Sequence, residues 1–468
     1  MTDAPAIEDR AQAVAFLDAR IGSGARPGLE RITGLAEFMG DPQLAYSVIH
    51  IAGTNGKTTA SRLVSDILGV HGYRTGTFTS PHLHRVEERF SIDGQTISPE
   101  GFTEAVSDIA WFVEEYERRN ETTITYFEVA AAIALSAFAT AAIDVAVIEV
   151  GLGGRWDATN VVVSDVAAIT GIALDHTEYL GETIGEIAGE KAAIIDQDGT
   201  VVTGPLPPGA EGPVTARVAE TDARWFRYGD DFSIESETLA VGGWVADIEG
   251  IYANYPDLYL PLHGRHQIVN LATAIAVSEV FVGHRLEEDA LRVAVGATSQ
   301  PGRVEVVHRH PLVIVDGAHN QQGVEGLAEA LSVEFRDEAY QLVVGLRGAR
   351  SAGEVLVPLE GQIAHVWATA PDDPAAQSAD EVATAAAEVL GVESTVVEDV
   401  ADAVAAAIEA AGPKGAVVAT GSLYLAGEAR ASLVGTDSEP SGVHVRYEAP
   451  VVIDGEEEEY EEEEEEEE

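Results

Sequence analysis

The chain has no cysteine, so neither a disulfide framework nor a thiolate metal site is open to it. Basic residues are scarce: 27 lysines and arginines stand against 80 aspartates and glutamates, a formal charge of −53. The terminal Glu456–Glu468 segment holds 12 of the acids, which leaves about −41 spread over the body of the chain. Such a surface repels nucleic acid and anionic membranes and excludes both as partners. It fits a cytoplasm of very high salt, where screening permits the charge density and hydrated carboxylates keep the protein in solution. Long hydrophobic runs are missing as well. The longest uncharged stretch, Val129 to Ile143, is alanine-rich and too short to span a bilayer. The first residues, Met1-Thr-Asp-Ala-Pro5, lack a charged-then-apolar signal pattern. A cytoplasmic monomer is expected.

What is present is room for two or three domains in 468 residues. Residues 1–45 suggest one amphipathic helix, carried by Ala13, Phe16, Leu17 and Ile21, followed by a Gly/Pro-rich loop. From Ser47 to Thr203, β-branched runs at 47–52, 74–79, 144–150 and 166–172 alternate with alanine-rich segments, which predicts a parallel sheet covered by helices. Residues 200–262 change character and predict antiparallel strands, with a helix following at 266–282. From Gln300 the alternation restarts. Apolar runs at 312–315, 341–346, 363–369 and 416–420 alternate with helices near 321–334, 351–359, 378–390 and 401–411. The expected division is 1–298, 299–431 and an acidic disordered tail at 432–468, since glutamates that repel one another bury no core.

The segment that carries chemistry is Ser47-Val-Ile-His-Ile-Ala-Gly-Thr-Asn-Gly-Lys-Thr-Thr59. It reads as a strand, a tight loop and a helix start, the geometry that holds a nucleotide triphosphate. Gly53 and Gly56 bring bare N–H groups to phosphate oxygens, with Thr54 and Asn55 between them. Lys57 adds a point charge, and a hydroxyl of Thr58 or Thr59 can reach magnesium. The strict Walker spacing would place a glycine at Ile51, so this is the shorter Gly-Thr-Asn-Gly-Lys-Thr variant.

That variant resembles the Mur ligase superfamily, and further motifs resemble its folylpolyglutamate synthase/dihydrofolate synthase family. They are Gly28-Leu-Glu-Arg-Ile32, Thr79-Ser-Pro-His-Leu83, the Ile148–Asn160 stretch, Pro301-Gly-Arg303, Asp316-Gly-Ala-His-Asn320 and Gly421-Ser-Leu-Tyr-Leu425, in the family's order. The resemblance spans roughly residues 10–430. It implies an α/β fold with a P-loop-containing, Mur-ligase-type central ATPase domain and a smaller Rossmann-like C-terminal domain. The implied reaction adds L-glutamate to a folate or dihydropteroate carboxylate, with ATP as co-substrate, two magnesium ions and an acyl-phosphate intermediate. Thr58 departs from the glycine that most family members carry there, as muropeptide ligases do. The alternative is therefore a Mur-type amide ligase for a cell-wall precursor or another coenzyme acid.

The resemblance also distributes roles. Thr58, Ser80 and Glu149 would meet magnesium, with His176 and a carbamylated Lys191 at a second ion. A carboxylate such as Glu149, among valines at a strand end, is costly unless paired or metal-bound. Asp157 and Asn160 could orient the metal shell. Asn270, Arg303 and Asp316 would contact ATP. Ser80, Pro81, His82, Arg85 or Arg89, and His319 would line the folate and glutamate sites. Lys57, Lys191 and His319 are the nearest candidates for a part in catalysis, which is otherwise a matter of positioning and charge neutralisation.

Overall fold

The computed structural model describes residues 7–21, 26–336, 339–348 and 350–436. The expected disordered tail falls mainly on 437–468, outside the described residues.

The alternation of β-branched runs and helices becomes an eight-stranded sheet. Its strands are β1 (Ser47–Ala52), β2 (Thr75–Phe78), β3 (Phe90–Ile92), β4 (Gln95–Thr96), β5 (Val145–Glu149), β6 (Val166–Ile169), β7 (Thr200–Thr203) and β8 (Arg224–Arg227). The order is β4-β3-β2-β5-β1-β6-β7-β8, antiparallel only at the β2–β3–β4 edge. β1 lies between β5 and β6, with Ile51 in register with Glu149 and with Ala168. Its apolar run is continuous because both faces are covered. Ile49 and Ile51 pack towards the Lys57–Val70 and His266–Val282 helices, while Val48 and Ile148 pack towards the Pro99–Asn120 and Tyr126–Ala141 helices.

Two expectations needed correction here. Runs 200–203 and 224–227 do not belong to an antiparallel insert; they extend the main sheet in parallel. The antiparallel part is confined to β9 (Ser233–Ala240), β10 (Gly243–Glu249) and β11 (Asn254–Leu260), whose Trp244, Ile248 and Leu258 share a core with the His266–Val282 helix. The Gly/Pro-rich loop expected within 1–45 contains a second helix, Glu30–Met39, after the Arg10–Asp18 helix. Gly34 in its middle lowers helix propensity but lets the helix lie against Tyr116, whose Oη would be 2.3 Å from a β-carbon at that position.

The third sheet comprises β12 (Glu305–Arg309), β13 (Leu312–Val315), β14 (Tyr340–Val344), β15 (Ile363–Ala368), β16 (Ser394–Val396) and β17 (Ala416–Thr420). Its order is β12-β13-β17-β14-β15-β16, parallel except for β12. The last helix, Leu423–Val434, is capped at its start by Ser422 and runs three residues beyond the expected boundary at 431, to the Gly435 cap. Among the described residues no helix is long and apolar enough to cross a membrane.

Candidate active site

Ligands of parallel sheets gather beyond the carboxyl ends of the strands, and here β1, β5, β6 and β13 deliver their loops to one place. Gly53–Gly56 links β1 to the Lys57–Val70 helix. Gly56 has φ 81°, and a β-carbon there would stand 2.2 Å from Asn270 Oδ1, so Asn270 closes directly over the loop. Asn270 Nδ2 donates to Gln267 Oε1 at 2.8 Å, which fixes its amide. The loop is pinned from β6 by Thr170, whose hydroxyl donates to Asn55 O at 2.6 Å, and Thr54 N donates to Gly171 O at 2.9 Å. Lys57 folds back over the loop, its Nζ 3.1 Å from Gly53 O and 3.3 Å from Thr54 O.

Glu149 ends β5 with its side chain fully buried. Its carboxylate accepts from Thr58 Oγ1 at 3.0 and 3.1 Å and from Ser80 N at 3.2 Å. Burial pushes its pKa up, against the pull of Lys57 and of these donors. Arg155, a conceivable partner, pairs with Glu190 instead. Thr58 is thus the threonine that reaches the carboxylate; Thr59 is buried in the helix. A hydroxyl and a carboxylate converging beside a phosphate loop are the donor types that magnesium takes, with the phosphates and water completing its shell. Among the described residues no three His, Asp or Glu side chains form a ready metal cluster.

The three residues expected at the first ion, Thr58, Ser80 and Glu149, are together; the two expected at the second are His176 and Lys191. His176 has its Nε2 3.4 Å from Arg350 Nη2, a cationic neighbour unsuited to a metal ligand. Lys191, one of three lysines in the chain, is buried and donates to Gly53 O at 2.9 Å from beneath the loop. Burial lowers its pKa to about 7, and the charge of Lys57 adds to the effect. Neither Glu186 nor Glu190 pairs with it: Glu186 caps its helix at Thr183 and Glu190 holds Arg155. As an amine it is no ligand, so the second ion does not fit the side chains as they stand.

Asp157 and Asn160 are engaged with the backbone around them. Asp157 accepts from Leu152 N at 2.8 Å and Thr159 N at 3.0 Å, holding the glycine loop to itself, and Asn160 donates to Arg155 O. Asp316 is likewise spent on backbone, accepting from Val304 N and Ala318 N at 2.8 Å each. It shapes the turn that presents His319.

Asp175 was missed by the sequence reading, although it adjoins His176 in a segment following β6. It accepts from Asn320 Nδ2 at 2.9 Å and Arg350 Nη2 at 3.1 Å, and lies 3.5 Å from His319 Nε2. Asn320 also exchanges 3.1 Å hydrogen bonds with Asn55 at the tip of the phosphate loop, and Asn55 donates to Gln322 at 2.7 Å. The third sheet is fastened to the phosphate loop through these contacts.

On the opposite flank Ser80 and Pro81 open a loop in which Arg89 is buried. Its Nε lies 3.0 Å from His82 Nδ1 and its guanidinium lies 5.5 Å from the Tyr126 ring centroid. Burial lowers the His82 pKa to about 3, and Arg89 adds to the effect. Arg85, His82 and Tyr126 share a cavity of about 180 Å3 with Arg10, Val14 and Leu17. Glu87 is taken by Arg10, and Glu88 accepts from the backbone of Leu83, His84 and Arg85. Neither glutamate is paired with Arg89. Arg303 lines a larger groove with Thr58.

Comparison with known proteins matches this layout. Residues 51–278 match the Mur ligase middle domain and residues 302–423 the Mur ligase glutamate ligase domain. The dihydrofolate synthase/folylpolyglutamate synthase of Mycobacterium tuberculosis is 38% identical over 444 residues, covering 88% of this chain and 91% of that protein. The solved M. tuberculosis folylpolyglutamate synthase complexed with ADP and AMPPCP superposes with a TM-score of 0.87 at 38% identity, over 91% of this chain and 99% of that one. An Escherichia coli relative in complex with DHPP and ADP gives a TM-score of 0.80 at 30% identity, over 90% and 97%. Agreement at this level runs through the phosphate loop, the Glu149 strand and the third sheet alike, and the chain belongs to the folylpolyglutamate synthase/dihydrofolate synthase family of Mur ligases.

Proposed function

We propose that the protein is an ATP-dependent ligase that joins the amine of L-glutamate to a carboxylate of a folate or of dihydropteroate. The observation that carries this is the convergence of Thr58 and Glu149 beside the Gly53–Gly56 loop, with His319 and Asn320 brought across to it from the third sheet. A carboxylate is a poor electrophile, so its oxygen first takes the γ-phosphoryl group of ATP and ADP leaves. The amine nitrogen then attacks the acyl carbon; the C–O bond to phosphate breaks, inorganic phosphate departs and the amine sheds a proton.

The loop amides and Lys57 cradle the β- and γ-phosphates, and Arg303 meets the phosphates from the junction of the two larger sheets. Asn270 holds the loop in shape. Thr58 and Glu149, with Ser80 beside them, would hold magnesium, which when bound neutralises phosphate charge. Lys191 becomes an oxygen ligand only as a carbamate, formed when its neutral amine attacks carbon dioxide and loses a proton; a pKa near 7 supplies that amine. His82, Arg85 and Arg89 face the acceptor, and His319 the incoming glutamate. We assign 1–298 and 299–431 as the two domains, consistent with the breaks between the sheets. A cytoplasmic monomer with no nucleic-acid or membrane partner completes the reading.

The test is ADP release in high-potassium buffer with magnesium, ATP and L-glutamate, using dihydropteroate, tetrahydrofolate or no acceptor. Release that requires both glutamate and a pteridine is expected. Folded, ATP-binding protein that stays silent with both acceptors would overturn the proposal.

A further inference from the structure

A groove of about 930 Å3 opens where the phosphate loop meets its helix. It follows one face of the Lys57–Val70 helix, through Thr58, Arg62 and Asp66, and continues past β2 and the β3–β4 edge. Arg303 lines it as well. The roles assigned so far use Thr58, Arg303 and the Pro81–Arg85 segment, and leave the Arg62–Asp66 face unassigned.

Arg62 follows Thr58 by four residues, so the two side chains share a helix face, one turn apart. Among the described residues neither Arg62 nor Arg303 makes a side-chain hydrogen bond or an ion pair. Other arginines of this acidic chain are engaged: Arg74 with Asp93, Arg430 with Glu305, Arg31 with Glu128 and Arg347 with Asp373. A partly buried guanidinium without a carboxylate is unfavourable in a free protein and calls for an anion. Burial lowers the Arg62 pKa, while the fields of Glu88, Asp66 and Glu149 raise it and Arg303 opposes them. Those carboxylates do not satisfy its N–H groups. Glu88 accepts from backbone amides and Glu149 from Thr58 and Ser80. Asp66, four residues on, makes no hydrogen bond with Arg62.

Phosphate is a poor candidate for the missing anion. The phosphate end of the site already has Lys57, the loop amides and Arg303, and Arg62 lies a turn further away beside a carboxyl group that a phosphate dianion would repel. A glutamyl unit fits better. It brings a carboxylate for the planar fork of Arg62 and an ammonium or amide N–H for Asp66.

We propose that Arg62 binds a glutamyl carboxylate in this groove, supplied by the incoming L-glutamate or by a glutamate already on the acceptor. This rests on the ligase reading above. The experiment is steady-state ADP release by full-length wild type, Arg62→Gln and Arg62→Lys, with dihydropteroate or tetrahydrofolate monoglutamate as acceptor, together with ADP affinity. The expected result is a KM increase of tenfold or more for Arg62→Gln and a smaller one for Arg62→Lys, with ADP affinity within twofold of wild type. An increase in the KM for L-glutamate with both acceptors places the incoming amino acid there. An increase confined to the glutamylated acceptor places its tail there. Unmoved KM values in an active enzyme, or ADP affinity falling in step with activity, overturn the inference alone. A wild type that needs no glutamate or pteridine overturns the ligase reading and the inference with it. If Arg62→Gln fails to fold, Arg62→Lys, which keeps the stem and charge, decides by the same readings.

Discussion

Asp175 lies 3.5 Å from His319, joining the loop after β6 of the first sheet to the loop after β13 of the third. Its side chain is only 8% exposed. Burial alone would raise its pKa, but His319, His176 and Arg350 together hold it well below the usual carboxylate range. It is a charged hub shared by groups from both sides of the site.

Removing that hub leaves Arg350 and His319 without their common partner, and truncating one member of such a set costs on the order of 1–3 kcal/mol. Asp175→Ala is expected to lower kcat/KM by about tenfold to a hundredfold on that scale. The melting temperature should move by only a few degrees, because the contact lies between folded units rather than within a core. Kinetics and a thermal melt on the same preparation check this; a large melting shift with intact kcat/KM would refute it.

At Gly56 a methyl group meets two obstacles, a left-handed backbone and the Asn270 carbonyl 2.2 Å away. The left-handed conformation costs an L-residue about 1–2 kcal/mol by itself. Gly56→Ala should weaken ADP binding by at least tenfold. Adding Asn270→Ala should recover the steric part only. A double-mutant cycle on ADP affinity measures the coupling; additive losses would show that the contact is not the cause.

Lys191, at a pKa of about 7, is largely neutral at pH 8 and therefore open to carbon dioxide. Carbon-13 bicarbonate should give a carbamate resonance in the wild type that is absent from Lys191→Ala. The variant should lose most activity and regain part of it with a short carboxylic acid. A wild type without the resonance would exclude the modification.

His50, inside β1, is fully buried with its Nε2 2.8 Å from Thr159 Oγ1, and burial lowers its pKa to about 3. The unfolded chain takes up this proton near pH 6.5 and the folded chain only near 3. The unfolded state thus binds more protons in that window, and stability falls as pH drops through it. His50→Gln should flatten this dependence relative to wild type. Urea midpoints at fixed high salt between pH 7 and 4.5 give the comparison; parallel curves would count against it.

Much of this was legible because one-dimensional patterns dictated it. The β1 run, the glycines after it and the alternating strands of the third sheet follow directly from burial on both faces and from turn chemistry. That Glu149 had to be engaged followed from the cost of a carboxylate at a buried strand end, but that Thr58 rather than Thr59 reaches it did not. What escaped depended on contacts between distant segments. The Glu30–Met39 helix carries a glycine that sequence logic reads as a breaker, and only Tyr116 explains it. Asp175 is an unremarkable aspartate until Arg350 and Asn320 arrive from another sheet. That the oxygens of Asp316 and Asp157 accept from backbone amides was likewise not readable from the motifs they stand in.

The exchange of hydrogen bonds between Asn55 and Asn320 ties the tip of the nucleotide loop to the far sheet. If release of a spent nucleotide requires those two amides to part, departure of ADP and separation of the two halves are a single event; the turnover number would then track how often the molecule opens, and a more viscous solvent would slow it.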